Sequence, residues 1–279
     1  MMNRPKWRDI LASAVITGLV GLAALVMVIP IYISIINAFK MSRLIQRSPL
    51  ALPLPPTLDN ITRAIGNENI HVGTMYFNTI TLMVFAVLIC IFVSSMAAYY
   101  LARRKSRLAK WLRIYFLIGI MVPYVIVYLP LCVILRIVHI PFGLPTLIII
   151  FVSGNISFST FIYTNYIRTL PFELEEVSMI DGAGRWTIFW RILFPLLKPC
   201  TATVMIFVGI GVWNDFMTPL LLGQVKTITV GIYTAIGPHS ADWGLSFAFV
   251  LFATVPVIIA FLFLQKQFIA GLTAGAVKG

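Results

Sequence analysis

Few residues in this 279-residue chain are equipped for chemistry, and the familiar chemistries fail for want of partners. A phosphate-cradling G-x-x-x-x-G-K-[ST] loop is missing, so no nucleotide is held by that route. H-E-x-x-H is missing too, and the three histidines (His71, His139, His239) all fall in segments expected on one, outer, side of a membrane. A zinc site or a serine–histidine pair is hard to build from them, and no catalytic or metal-binding residue is assigned. Cys90, Cys132 and Cys200 lie in or beside apolar stretches without metal-ligand spacing, which suits small buried side chains. Asp215 is the one acid expected inside an apolar stretch, whereas proton-coupled pumps need relays of ionisable groups. What remains is an acidic, glycine-containing loop over residues 170–199 and a few polar side chains in apolar surroundings, Asn155, Ser159, Asn214 and Asp215. This inventory describes a path through a membrane with no engine of its own, driven from outside.

The elements that must position these groups follow from composition. Apolar residues make up 60% of the chain and charged residues 11%, and mean hydropathy is +0.97. A soluble domain holds about 45–50% apolar and about 25% charged residues, so a water-soluble enzyme and a disordered chain are both excluded. A crossing helix needs about 20 apolar residues. Runs of that kind cover residues 10–39, 76–102, 114–135, 144–166, 200–222 and 245–264, six spans in all. The first follows Arg4, Lys6 and Arg8 but is too long for a signal-peptide core and has no clear small-residue cleavage site, so it reads as a retained helix. Pro123 and Pro130 predict kinks in the third, tolerated where neighbours satisfy the freed carbonyls.

The net charge of +12 reads as topology and not as nucleic-acid binding. With the N-terminus inside, fifteen of the 21 Lys and Arg residues fall inside and six outside, which places both termini in the cytoplasm. Residues 40–74 then form a long outer connection with Pro53, Pro55 and Pro56, in which Thr57 caps a short helix ending near Gly66. Asn60-Ile61-Thr62 within it is a glycosylation-type triplet of the kind chance produces.

The inner loop 170–199 reads as two short helices joined at a glycine corner. Pro171 suits a first turn, Glu173, Glu175 and Glu176 suit the positive end of the helix dipole, and Gly182 after Asp181 suits a terminator. Trp186, Phe189, Trp190 and Leu193 fall at i, i+3, i+4 and i+7, one apolar face of a helix lying at the membrane interface. Pro195 and Pro199 then break the chain before the fifth span. On periodicity alone this is either an amphipathic surface helix without a partner or a socket for one.

This loop resembles the signature E-A-A-x-x-x-G-x(9)-I-x-L-P of ABC-importer permease subunits. Glu176-Val177-Ser178 stands for E-A-A, Gly182 for the glycine, Ile192 for the isoleucine and Pro195 for the proline; Val177, Ser178 and Phe194 depart from the pattern while the spacing holds. Ala97-Ala98-Tyr99-Tyr100-Leu101-Ala102-Arg103, Trp213-Asn214-Asp215-Phe216 and the tail Gly271-Leu272-Thr273-Ala274-Gly275-Ala276-Val277-Lys278-Gly279 are similar to the carbohydrate-importer branch, the maltose and multiple-sugar permeases. The resemblance implies an all-α polytopic membrane protein of the type I importer permease fold, six transmembrane helices with a cytoplasmic coupling-helix loop. It implies one permease domain over 1–279, with a first helix and outer loop (1–73), a core (74–265) holding the loop 170–199, and a cytoplasmic tail (266–279).

The same resemblance implies function and partners: a sugar importer subunit in a bacterial inner membrane, itself no enzyme. A second homologous permease completes the path, two cytoplasmic ATPase subunits each take a coupling helix, and an extracytoplasmic binding protein delivers the sugar. ATP and Mg sit on the ATPases, and this chain binds no cofactor. Glu175, Glu176, Asp181, Gly182 and Ala183 are the coupling candidates, and Thr273, Gly275 and Lys278 a further contact of the tail with the ATPases. An amino-acid or peptide importer would share the loop but not the Trp213–Phe216 and tail motifs; an ion-coupled carrier would need mid-membrane ionisable groups.

Where solute passes is less marked. Asp215 lies about 22 Å along the fifth span at 1.5 Å per residue. A lipid-facing acid costs about 2.5–3.5 kcal/mol at a helix centre, so it should face protein or water. Asn214 beside it and Pro219 beyond it predict a locally opened helix with a structural, gating or solute-lining role. Asn155 and Ser159, with Phe158 and Phe161 nearby, could line a sugar path or serve as interhelical glue.

Overall fold

A computed structural model describes residues 7–67, 71–236 and 242–276, and shows helices and no strand among them. In chain order these are α1 (Trp7–Ala38), α2 (Ser42–Ile45), α3 (Asp59–Ile65), α4 (Val72–Arg103), α5 (Arg107–Met121), α6 (Tyr128–Ile137), α7 (Leu144–Ile167), α8 (Glu173–Ile180), α9 (Arg185–Thr187), α10 (Phe194–Leu196), α11 (Lys198–Asn214), α12 (Ile228–Ile236) and α13 (Trp243–Ala276). The chain divides into two compact units, residues 1–69 with 232–254 and residues 70–231 with 255–279, a division the sequence did not announce.

Four stretches are long and apolar enough to cross a membrane singly: Ser13–Ala38, Val72–Arg103, Leu144–Ile167 and Trp243–Phe263. Two further pairs qualify only together. Arg107–Met121 and Tyr124–Ile137 meet at 92°, and Arg185–Leu196 and Lys198–Asn214 meet at 75°. Counting each bent pair as one crossing gives six. The kink expected at Pro123 is therefore a full break, because Val122 and Pro123 are both extended. Pro130 makes no kink. It lies in the first turn of α6, where its missing amide would have had no helical partner.

In the larger unit α4, α7 and α11 pack around a core that includes Leu82, Cys90, Leu147, Tyr163, Ile167, Val204 and Val208. Lipid gives helices no hydrophobic reason to associate, so close approach and interhelical hydrogen bonds must do it. Tyr163 accordingly donates to Thr201 Oγ1 of α11 at 2.9 Å, and Ala86, Ser94, Ser95 and Ala98 of α4 are buried small residues. Gly119 lets α5 lie against α7: a Cβ there would collide with the Ser157 side chain.

The smaller unit shows how a long loop is fixed by hydrogen bonds around a few buried apolar side chains such as Ile45, Ala64 and Phe249. Asn60 is completely buried, and its Nδ2 donates to the carbonyls of Lys40 (2.7 Å), Ala38 (3.2 Å) and Asn37 (3.5 Å), at and just beyond the C-terminal end of α1. That amide is spent on structure and is closed to a glycan. Lys40 is buried too; its Nζ donates to Ser48 O at 2.8 Å, and desolvation lowers its pKa from the ordinary lysine value. The N-cap of α3 is Leu58 and not the expected Thr57, which stands one residue earlier and accepts from the first helical amide, Asp59 N, at 3.1 Å; Gly66 closes the helix without entering the left-handed region. Arg63 of α3 pairs with Asp242, whose other oxygen caps α13 through Leu245 N (3.0 Å).

Replacing Asn60 by Ala strands these buried carbonyls, which costs on the order of 1–3 kcal/mol. Thermal unfolding in detergent is expected to show a clearly lowered midpoint for N60A; an unchanged midpoint would show that the amide carries no weight.

Candidate coupling and pathway sites

The loop forms its corner by a backbone rule. Glu173, Glu175 and Glu176 fill the first turn of α8, where the free amides favour negative charge. At the other end Gly182 N donates to Met179 O (3.0 Å) and Ala183 N to Ser178 O (2.9 Å), the paired bonds of a Schellman closure. That closure needs a left-handed residue, and Gly182 has φ +82°, with nothing of this chain within 4 Å of where a Cβ would stand. The corner therefore points into open space. Beside it Glu176, Asp181, Val177 and Ile180 are exposed, Ile180 at 84%, so α8 presents an apolar and acidic outer face. Ala183 is half-buried.

Glu175 does not share that face. Its side chain is 1% exposed, its Oε1 accepts from Arg103 Nε at 2.6 Å and its Oε2 from the Tyr99 hydroxyl at 2.9 Å. Arg103 also donates to Leu170 O at 3.2 Å and lies 5.6 Å from the Phe172 ring centre. The expectation that Glu175 meets an ATPase is corrected on this ground: at i−1 from Glu176 it faces the opposite way, and α4 takes it up. Tyr99 and Arg103 belong to a motif noted for resemblance alone. The signal that could have found the tie is the first basic residue of the Arg103-Arg104-Lys105 run, one turn beyond Tyr99 at the end of a span.

The second half of the loop departs from its expected periodicity. Residues 188–193 form a π-helical turn, wider than 3.6 residues, so an i, i+3, i+4, i+7 face cannot hold together across it. Phe189 and Leu193 are buried, Trp190 is half-buried, and Trp186 is left 63% exposed. Two of them pack on α4: Phe189 lies on Tyr99 (ring centres 5.4 Å apart) and Trp190 stacks on Phe92 (5.6 Å). Pro195 and Pro199 stand in the first turns of α10 and α11, where no amide is needed.

The opened helix expected near Asp215 is present. α11 stops at Asn214, Asp215 is extended (ψ 124°), and a π-helical turn follows over Pro219–Gly223. The Asp215 carboxylate restarts the helix: Oδ1 accepts from Thr218 N at 3.0 Å and Oδ2 from Thr218 Oγ1 at 2.6 Å. Thr218 Oγ1 is also hydrogen-bonded to the Tyr128 hydroxyl (3.1 Å), and Thr229 Oγ1 donates to Asp215 O (3.0 Å). Thr218, Thr229 and Tyr128 were missed, since hydroxyls in apolar runs carry no pattern. Asn214 is exposed. Asn155 is half-buried and bonds its own helix through Phe151 O (2.8 Å), whereas Ser159 is fully buried beside Cys90, the position of a packing residue. Thr273 and Gly275 lie in α13, and Lys278 lies outside the described residues. Among the described residues no cluster of His, Cys, Asp or Glu could hold a metal.

With this geometry in hand, similarities to known proteins are informative. Residues 91–274, about two thirds of the chain, match the family described as binding-protein-dependent transport system inner membrane component. The multiple sugar-binding transport system permease protein MsmG of Streptococcus mutans is 33% identical, over 93% of this chain and 95% of its own. The melibiose/raffinose/stachyose import permease protein MelC of Bacillus subtilis is 34% identical, over 95% and 96%. In fold the chain is similar to a bacterial ABC transporter chain involved in import of the acidic polysaccharide alginate, with a TM-score of 0.79, 20% identity, and 96% and 100% of the two chains covered.

Asp215→Ala removes the cap and is expected to cost about 1–2 kcal/mol. The check is a lowered unfolding midpoint in detergent, with hydrogen exchange rising at residues 216–223; protection unchanged there would show that the carboxylate does not hold the break.

Proposed function

The chain belongs to the binding-protein-dependent transport system inner membrane components, and on that premise we propose that it is the permease subunit of an ATP-driven importer of a mono- or oligosaccharide. The observation that carries the reading is the outer face of α8. A helix anchored on its inner side by a buried carboxylate presents Val177, Ile180, Glu176 and Asp181 to its surroundings around an unobstructed glycine corner. Exposed apolar side chains rimmed by charge mark a surface made to be covered by protein.

In this reading Glu176, Asp181, Gly182 and Ala183 enter a cleft on a cytoplasmic ATPase. Gly182 permits close approach and the two carboxylates meet basic groups there. Thr273, Gly275 and Lys278 of the tail supply a second, smaller contact. A homologous permease forms the other half of the path, with its own coupling helix on the second ATPase, and a binding protein brings sugar to the outer side. ATP and Mg are held and hydrolysed by the ATPases, and this chain contributes no catalytic group. Both termini are cytoplasmic, as the excess of Lys and Arg on that side supports, in the inner membrane of a bacterium.

Sugar as the cargo is supported by the relatives, which are named for carbohydrate transport, and by the polar but mostly uncharged side chains of the candidate path residues. Asp215 is spent as a cap and Thr218 is fully buried, leaving the exposed Asn214 amide and the half-buried Asn155 and Thr229 as the polar groups available. Neutral donors and acceptors beside aromatic rings such as Tyr124 and Tyr128, 5.1 Å apart edge to face, match a ligand with hydroxyl edges and apolar C–H faces.

The test uses the intact complex in proteoliposomes. Sugar uptake is expected to need ATP and to survive collapse of ion gradients. Gly182→Asp is expected to insert and fold, since nothing of this chain crowds the site and Asp tolerates the left-handed φ at a cost confined to the corner, yet to lose the ATPase or to hydrolyse ATP without uptake. Normal uptake with full sugar-stimulated hydrolysis in G182D would overturn the assignment of the corner to the ATPase.

A further inference from the structure

Glu175, withdrawn from the outer face of α8, raises the question of what a buried carboxylate is for. A buried ion pair is a poor device for stability alone, because desolvation offsets much of its attraction and apolar residues of similar size hold two helices as well. What it does supply is a single setting. The two Glu175 oxygens are held by groups one turn apart on α4, Tyr99 and Arg103, so α8 can neither slide along α4 nor turn about its own axis without breaking one of them. The rest of the loop repeats the attachment: Phe189 lies on Tyr99 and Trp190 on Phe92. Positions 92, 99 and 103 are spaced by seven and four, which puts all three on one face of α4. The loop is thus fastened along about three turns of one helix.

The same helix is fastened at its other end. Asn78 Nδ2 donates to Lys226 O at 2.9 Å, and the buried Thr79 Oγ1 accepts from Ile228 N at 3.1 Å. These bonds hold the strand of chain that leaves the helix break at Asp215, where Gln224 takes a left-handed turn (φ 51°) and Thr229 returns to Asp215 O. From Asn78 to Arg103 is about 37 Å of unbroken helix at 1.5 Å per residue. An α-helix is stiff along its axis, so a displacement put in at one end arrives at the other, whereas α11, set at 75° to the loop segment before it and stopped at Asn214, transmits poorly.

We propose that α4 is the rod that carries the stroke of the coupling loop across the membrane, with Glu175, Tyr99 and Arg103 as the joint where motion enters and Asn78 and Thr79 as the joint where it reaches the broken segment 215–228. This rests on the function proposed above, and it makes these five positioning residues that touch neither ATP nor the ATPase. Glu175→Gln keeps shape and an acceptor for Tyr99 but removes the charge that holds Arg103; Thr79→Val keeps shape and removes the acceptor for Ile228 N.

The experiment measures sugar moved per ATP hydrolysed by the intact complex in proteoliposomes, with retention of the ATPase followed by co-purification. E175Q, R103Q and T79V are each expected to retain the ATPase and to hydrolyse ATP within about twofold of the parent. Sugar per ATP is expected to fall at least fivefold in each, and the E175Q/R103Q double variant to fall no further than the worse single one. An unchanged ratio in E175Q or T79V, or losses that multiply in the double variant, would overturn the rod. So would loss of the ATPase from E175Q, since the joint would then shape the contact instead of transmitting its motion. A parent complex that holds no ATPase would instead overturn the function proposed above and would be seen before any variant is made.

Discussion

A single carboxylate sets the geometry on which the rest depends. Glu175 sits one residue before the acid that opens the family signature, yet it points into the chain and is met by Arg103 and Tyr99. Removing Arg103 would leave the buried carboxylate without its counterion, and removing Tyr99 would leave one of its oxygens without a donor. Because it is satisfied on both oxygens, α8 has one orientation, and the Schellman closure at Gly182 then aims the corner outward. The interior bond and the exposed corner are two ends of one eight-residue helix, so the surface offered to a partner is defined by a contact no partner touches.

The breaks in the helices obey the same accounting of backbone polar groups. In a membrane, chain that leaves a helix must find its hydrogen bonds within protein or in a wet cavity. At Asp215 the carboxylate and Thr218 supply them, and Thr229 takes the Asp215 carbonyl, so an opened segment is held without any residue being lipid-facing and charged. At Pro123 the chain turns by 92° and Tyr124 reaches back to Ile150 O at 3.4 Å, which stitches the bend to α7. Both breaks lie beside aromatic hydroxyls. Unbroken α4 reaches from the coupling loop to the chain that follows the second break.

Much of this was legible in the sequence, and what was not has identifiable causes. Crossing segments are a matter of bulk hydropathy, so four of the six expected spans stand as single helices and the other two fall on bent pairs, and the opened helix at Asp215 followed from Asn214 beside it and Pro219 beyond it. The short helix after Thr57 and the glycine corner followed from local backbone rules. Pro123 announced an interruption but not its size, because whether a proline kinks or breaks a helix depends on the residues around it and on what its neighbours can satisfy. The interfacial face at Trp186, Phe189, Trp190 and Leu193 failed since a π turn changes the period, and nothing in those residue types signals one. Glu175 was placed on the wrong side because three glutamates in one turn look alike until α4 is present to choose among them. The pairing of Asn60 with the end of α1 lies 20 residues and more away in sequence and leaves no pattern at all.

The central claim is that the outer face of α8 is seated in an ATP-hydrolysing partner. Its most direct test is a cysteine at Ile180, the residue that projects furthest from the chain, in membranes from cells making the whole complex. The account predicts an oxidative or bifunctional cross-link from I180C to the nucleotide-binding subunit, with a yield that changes when ATP is bound. Cross-links that never reach that subunit, in any nucleotide state, while uptake remains normal, would contradict it.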